Sequence, residues 1–177
     1  MSDVKTLATV WLDGCSGCHM SLLDMDERLI ELSSQFTLVY SPLVDSKTFP
    51  ERVDVTLVEG AVASEEDLKK IRRIREHTRV LVSLGDCALT GNVSAMRNTC
   101  GVQPVLLRVY EQNVDLQQQV PTAGVPAPLD RVRPVHEVVP VDVFVPGCPP
   151  PADTIYQVLS ELLAGHLPTL GGIAHFG

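Results

Sequence analysis

Residues 5–18, KTLATVWLDGCSGC, carry the reading on which everything else rests. Residues 5–12 form an apolar run of strand length with β-branched and aromatic members, and Asp13-Gly14 then signals a turn. Cys15 and Cys18 follow at once, so two thiols stand just past the carboxyl end of a strand. The arrangement recurs twice: residues 83–87 read SLGDC and residues 144–148 read FVPGC, each an apolar run closed by glycine and cysteine. In an open parallel sheet the carboxyl ends of the strands share one edge, where ligands bind. Cys15, Cys18, Cys87 and Cys148 are therefore expected to meet in space.

Outward from these sites, strand-length runs alternate with amphipathic stretches. Residues 18–32 are expected to form a helix with Met20, Leu23, Ile30 and Leu32 among its apolar positions, and residues 36–41 a second strand. Residues 53–58 form a third strand, ending at Glu59-Gly60. Ser64 with Glu65, Glu66 and Asp67 then opens a helix to about residue 77, in the manner of an N-cap with an acidic first turn. Residues 80–84 are a fourth strand, followed by a short helix from Cys87 to about residue 98. Residues 141–145 form a fifth strand, and residues 153–163 a last helix after Pro149-Pro150-Pro151. This alternation predicts an α/β fold, an open parallel sheet with helices on both faces. Between residues 100 and 140 stand Pro104, Pro121, Pro126, Pro128, Pro134 and Pro140 with three glutamines at 117–119. A long irregular excursion is expected there, laid across a partner in preference to being disordered.

The chain has 177 residues, 45% hydrophobic and 20% charged, enough for one domain over residues 1–177 that buries roughly 70% of its unfolded surface. A net charge of -8 and a pI near 5.0 argue against nucleic-acid binding, which needs a basic face. No apolar run approaches the ~20 residues that span a bilayer, so no membrane insertion is expected. Residues 1–9 show neither a signal-like core nor a twin-arginine pair, which points to a cytoplasmic protein. Five cysteines in such a compartment make a poor disulfide framework. A mean hydropathy of +0.14 is high for a chain without a membrane segment and points to a surface covered by a partner.

Four convergent thiols suit an iron-sulfur cluster. Gly14, Gly17, Gly85 and Gly147 let backbone N–H groups approach an anionic core. Three other readings stand beside it. A zinc site usually draws on two short cysteine pairs, whereas here one pair joins two distant single residues. A thioredoxin-like dithiol fits Cys15 and Cys18 but leaves Cys87 and Cys148 unexplained. Free cysteines are also often no more than small buried hydrophobes.

The segments Asp13-Gly14-Cys15-Ser16-Gly17-Cys18-His19, Gly85-Asp86-Cys87-Ala88-Leu89-Thr90-Gly91 and Pro146-Gly147-Cys148-Pro149-Pro150 resemble the small subunits of nickel-iron hydrogenases, in order and context, from residue 5 to residue 163. The resemblance implies a flavodoxin-like domain in which Cys15, Cys18, Cys87 and Cys148 bind one proximal 4Fe-4S cluster, with Cys100 left out. Only 29 residues follow Cys148, with no further cysteine, so a single cluster is expected. A short, leaderless chain with WLDGCSGCHM at residues 11–20 is most similar to the small subunits of soluble NAD-reducing, bidirectional hydrogenases. That group implies an electron-transfer subunit of an oxidoreductase, with no substrate site or catalytic residue of its own. It also implies a large subunit carrying the nickel-iron centre, and diaphorase subunits carrying further clusters, FMN and the NAD site. The related subunit of respiratory complex I has adjacent first cysteines where this chain has two residues between them. F420-reducing and energy-converting hydrogenases share the three motifs and stay open as alternatives. FMN is not expected in this subunit, because the loop that holds flavin phosphate in flavodoxins here carries Cys15 and Cys18.

By the same resemblance Glu59 matches a position tied to proton passage near the cluster, a solvated loop carboxylate being the equal alternative. His19 has two readings, a hydrogen-bond donor to a partner or the cluster and, favoured, a surface or helix-start residue; Asp13 and Asp86 either orient backbone or meet the large subunit, with ordinary turn acids the favoured reading. His77, His136, His166 and His175 show no ligand spacing.

Overall fold

The computed structural model describes residues 4–172, 175 and 176; residues 1–3, part of the stretch inspected for a leader, lie outside these. In chain order the strands are β1 (Lys5–Trp11), β2 (Phe36–Tyr40), β3 (Val53–Glu59), β4 (Val62–Ser64), β5 (Thr78–Leu84), β6 (Pro128–Arg133) and β7 (Val143–Val145). The helices are α1 (Gly17–Leu23), α2 (Glu27–Ser33), α3 (Glu65–His77), α4 (Asp86–Thr90), α5 (Val102–Leu107) and α6 (Ala152–Leu163). Five strands pair in parallel in the order β2-β1-β3-β5-β7. With β4 and β6 set aside, this is the order of the flavodoxin-like doubly wound sheet.

Strand alternation divides the core between two faces. Leu7, Val55, Leu57, Val82, Leu84 and Val145 pack with Leu22, Met25 and Leu32 and with Ile155, Leu159 and Leu162 of α6. Ala8, Val10, Val58 and Leu81 turn the other way, onto Ile71 and Ile74 of α3 and onto Ala88, Leu89, Val135 and Val139. Each fully buried Leu, Ile or Val contributes about 1.5–3 kcal/mol, so the sheet is clamped from both sides. Ser64 caps α3 as its sequence announces: its Oγ accepts from the Asp67 N–H at 3.1 Å, and Asp67 Oδ2 accepts from the Ser64 N–H at 3.0 Å. Among the described residues no helix is long and apolar enough to cross a membrane.

Two expectations need correction. The helix foreseen over residues 18–32 is broken into α1 and α2 at residues 24–26, where Asp26 takes a φ of 50°. Asp24 and Asp26 are weak helix formers, and aspartate tolerates such angles better than most residues. As a result Met25 enters the core, while Met20, Leu23 and Ile30 face outward at 57%, 41% and 73% exposure. The proline-rich stretch is only partly irregular. It contains α5, one π turn (Arg108–Gln112), a short 3-10 turn (Val135–Glu137) and β6, which pairs antiparallel with β4. Three of its six prolines stand where elements begin: Pro104 in the first turn of α5, Pro128 opening β6, Pro134 just ahead of the 3-10 turn. A missing N–H does no harm at such positions.

At the amino end of the sheet Asp54 ties β3 to β1. Its Oδ2 accepts from the Thr6 N–H and hydroxyl, both at 2.9 Å, and its own N–H donates to Thr6 Oγ1 at 2.8 Å. Burial pushes the Asp54 carboxyl up, but the Thr6 hydrogen bonds with Lys5 and Arg79 outweigh it and hold the group below its ordinary range. A lowered carboxyl stabilises the fold above the unfolded value of about 3.9 and loses that contribution as pH falls below it. Asp54→Ala is expected to cost about 1 kcal/mol at pH 7, with the gap to wild type narrowing below about pH 4; paired denaturant titrations across this range check it.

Candidate metal centre at the carboxyl edge of the sheet

The sheet brings the cysteine-bearing loops together and hydrogen bonds join them. After β1, the Leu12 N–H donates to Glu59 O at 3.0 Å, and Asp13 and Ala61 exchange backbone bonds of 3.0 and 2.7 Å. This pairing needs Gly60, whose φ is +86° and where a Cβ would press into the backbone of residues 12–13 at 2.8–3.0 Å. Cys15 and Cys18 are then set by a tight turn through Ser16, at φ 62°, which leads into α1. After β5, the Gly85 N–H donates to Val145 O at 2.8 Å and the Asp86 N–H to Gly147 O at 2.9 Å. The Asp86 carboxylate, buried at 5% exposure, accepts from the Gly147 N–H at 2.7 Å. Asp86 therefore orients the Gly-Cys loop after β7, which is more than the ordinary turn role expected of it. Ser21 Oγ donates to Pro150 O at 2.5 Å and fastens that same loop to α1.

Cys15, Cys18, Cys87 and Cys148 all line one hollow of about 60 Å³, together with Gly17, Asp86, Gly147 and Pro149. A Cβ on Gly85 would collide with Cys18 Sγ, so glycine is what lets the two loops approach. Cys18 and Cys87 lie inside the first turns of α1 and α4, and α4 ends at Thr90, short of the helix expected to about residue 98, with a separate 3-10 turn (Ser94–Thr99) beyond it. Cys100 lies apart, exposed, with its thiol on Arg97 O. His77, His136, His166 and His175 do not line the hollow.

Burial, then Glu59 through its charge and a hydrogen bond, then Cys87 and Cys15, push the Cys18 thiol far above its ordinary range. Cys87 is raised as well, by burial first and then by Cys148 and Cys15, against a backbone hydrogen bond from Val93 that lowers it. Thiols crowded in this way ionise together only if a cationic core takes up their charge. Four sulfurs around a hollow suit a core of several atoms better than one zinc.

Glu59 is not a solvated loop carboxylate: it is 2% exposed. Its Oε2 accepts from the His19 N–H at 2.9 Å and its Oε1 lies 3.0 Å from His19 Nδ1, off the line of a hydrogen bond. His19 Nε2 reaches Thr9 Oγ1 at 2.9 Å, and the Thr9 hydroxyl donates to Ser41 Oγ at 2.8 Å. His19, expected at the surface or at a helix start, stands in the first turn of α1 but is buried at 6% exposure, within a polar row that runs up to Cys18. The signal available in the sequence was Thr9, a polar residue in the middle of an apolar strand.

Residues 15–162 match the family described as NADH ubiquinone oxidoreductase, 20 kDa subunit. The delta subunit of the NAD-reducing hydrogenase HoxS of Cupriavidus necator is 42% identical over 90% of this chain and 78% of its own length. A subunit of the F420-non-reducing hydrogenase vhu of Methanocaldococcus jannaschii is 35% identical over 91% of this chain, which spans only 57% of that relative. A chain in the crystal structure of an NAD+-reducing [NiFe]-hydrogenase in the H2-reduced state superposes with a TM-score of 0.93, at 38% identity, over 98% of this chain and 99% of its own.

The raised thiols set an order of reactivity in metal-free protein, since the thiolate is the nucleophile. Exposed Cys15, Cys100 and Cys148 are expected to alkylate first at pH 7 and Cys18 last. The Cys18 rate should go on rising with pH beyond the ordinary thiol value of about 8.5; peptide mass mapping of iodoacetamide-treated protein checks it.

Proposed function

The chain belongs to the family described as NADH ubiquinone oxidoreductase, 20 kDa subunit, and on that premise we propose that it is the small, electron-transfer subunit of an NAD-reducing nickel-iron hydrogenase. In this reading Cys15, Cys18, Cys87 and Cys148 hold one 4Fe-4S cluster. Through it the chain relays electrons between a nickel-iron centre on a large subunit and diaphorase subunits with further clusters, FMN and the NAD site. The observation that carries the reading is the hollow lined by those four cysteines and no other. When bound, the cluster supplies one-electron chemistry that no side chain here offers.

The protein's own residues have three tasks. The cysteines fix the cluster, and Asp86, Ser21 and the glycines hold their loops in register. Glu59, buried beside Cys18 with its Oε1 3.0 Å from His19 Nδ1, is placed to pass a proton near the cluster, and we assign it that role. Trp11, Met20, Leu23, Val93 and Met96, between 41% and 68% exposed on or just beyond the elements that carry the cysteines, suit an interface with the large subunit.

The turn through Ser16 that separates Cys15 from Cys18 favours a hydrogenase over the complex I subunit with its adjacent cysteines. The higher identity and fuller coverage of the NAD-reducing relative favour that group over the F420-linked ones. A thioredoxin-like dithiol would leave Cys87 and Cys148 without a task. Purified complex is expected to reduce NAD with hydrogen. Cys15→Ala and Cys148→Ala should each abolish this and remove about four irons and four acid-labile sulfides per complex; full activity in both variants, or zinc in place of the missing iron, contradicts the proposal.

A further inference from the structure

The turn that follows α4 addresses two of the cysteine sulfurs at once. Gly91 ends the helix at φ +83°, its N–H donating to Cys87 O at 2.9 Å, and a Cβ there would meet the Ala95 Cβ at 2.8 Å. Asn92 follows at φ 35°, a region asparagine enters more readily than most residues. Its backbone is held on both sides: its N–H donates to Thr90 Oγ1 at 3.2 Å, and its carbonyl accepts from the Ala95 N–H at 3.1 Å. So fixed, the side-chain Nδ2 donates to Cys148 Sγ at 3.4 Å, while the next residue, Val93, gives its backbone N–H to Cys87. One turn thus places N–H donors on cysteines that follow two different strands, β5 and β7.

We infer that Asn92 is a positioning residue that acts through Cys148 to raise the reduction potential of the cluster, an inference that rests on the four-cysteine reading above. Reduction adds negative charge to cluster and ligands. A donor already aimed at a ligand sulfur stabilises the reduced form more than the oxidised one, and hydrogen bonds to sulfur are among the factors that set such potentials. Cys148 is an exposed member of the set, where water would otherwise take the donor's place with poorer order. An asparagine at this angle supplies a fixed donor without adding charge.

Two variants separate this from a merely structural role. Asn92→Gly removes the donor and keeps the unusual backbone angle accessible; Asn92→Asp keeps the shape, removes the N–H groups and adds a negative charge. Each is made in the full chain copurified with its large subunit, assayed for iron and sulfide, and titrated with EPR detection. Both are expected to keep wild-type iron and sulfide content and to shift the midpoint to more negative potential, Asn92→Asp further than Asn92→Gly. At the ambient potential that half-reduces wild type, the reduced-to-oxidised ratio of Asn92→Gly should fall about fivefold, the equivalent of one ordinary hydrogen bond. Unchanged midpoints at full iron content overturn the inference, as does loss of iron from both variants, which makes Asn92 a loop brace only. Wild-type protein without a cluster signal overturns the four-cysteine reading itself, and this inference with it.

Discussion

Parallel registration of β1, β3, β5 and β7 is the constraint on which the rest of this protein depends. Backbone pairing aligns Trp11 with Glu59, Glu59 with Leu84 and Leu84 with Val145, so four strands end at one level. The loops that leave them carry all four cysteines of the hollow, drawn from positions 15 to 148. Packing of helices on both faces holds the strands in that register, and a slip of one residue would turn each core side chain to the wrong face. The geometry of the sulfurs is therefore inherited from the hydrophobic core, with glycines and Asp86 making the last adjustment between loops.

Electrostatics complete that arrangement. Thiols brought so close, partly buried and next to Glu59, resist ionisation on their own, as the raised Cys18 and Cys87 show. A bound cationic core would release that tension, which would couple folding to loading. The buried row Ser41, Thr9, His19 and Glu59 is the other polar feature of the site, and it approaches from the β1 side. Its members are spaced by strand and helix geometry, which ties this buried polar row to the same frame that places the sulfurs.

Much of this was legible in the sequence because the decisive signals are local. Apolar runs of strand length, each closed by glycine and cysteine, announce both the parallel sheet and the edge at which the four cysteines meet, and Ser64 with Asp67 announces α3. What could not be read depends on tertiary competition. Leu22 and Met25 displace Met20, Leu23 and Ile30 from the core because Asp24 and Asp26 break the helix, a matter of which face α6 covers. The β4–β6 ribbon was hidden because its strands pair across more than sixty residues and Pro128 opens one of them. The buried partners of His19 and Asp86 were hidden because Glu59 and Gly147 are remote in sequence.

The central claim is that one polynuclear core occupies the space enclosed by Cys15, Cys18, Cys87 and Cys148. Anomalous diffraction from crystals of the anaerobically purified complex, collected on both sides of the iron absorption edge, tests it most directly. The account predicts a compact iron peak within the hollow, touching all four sulfurs. Iron absent from that position, or an anomalous signal that appears only at the zinc edge, would contradict it.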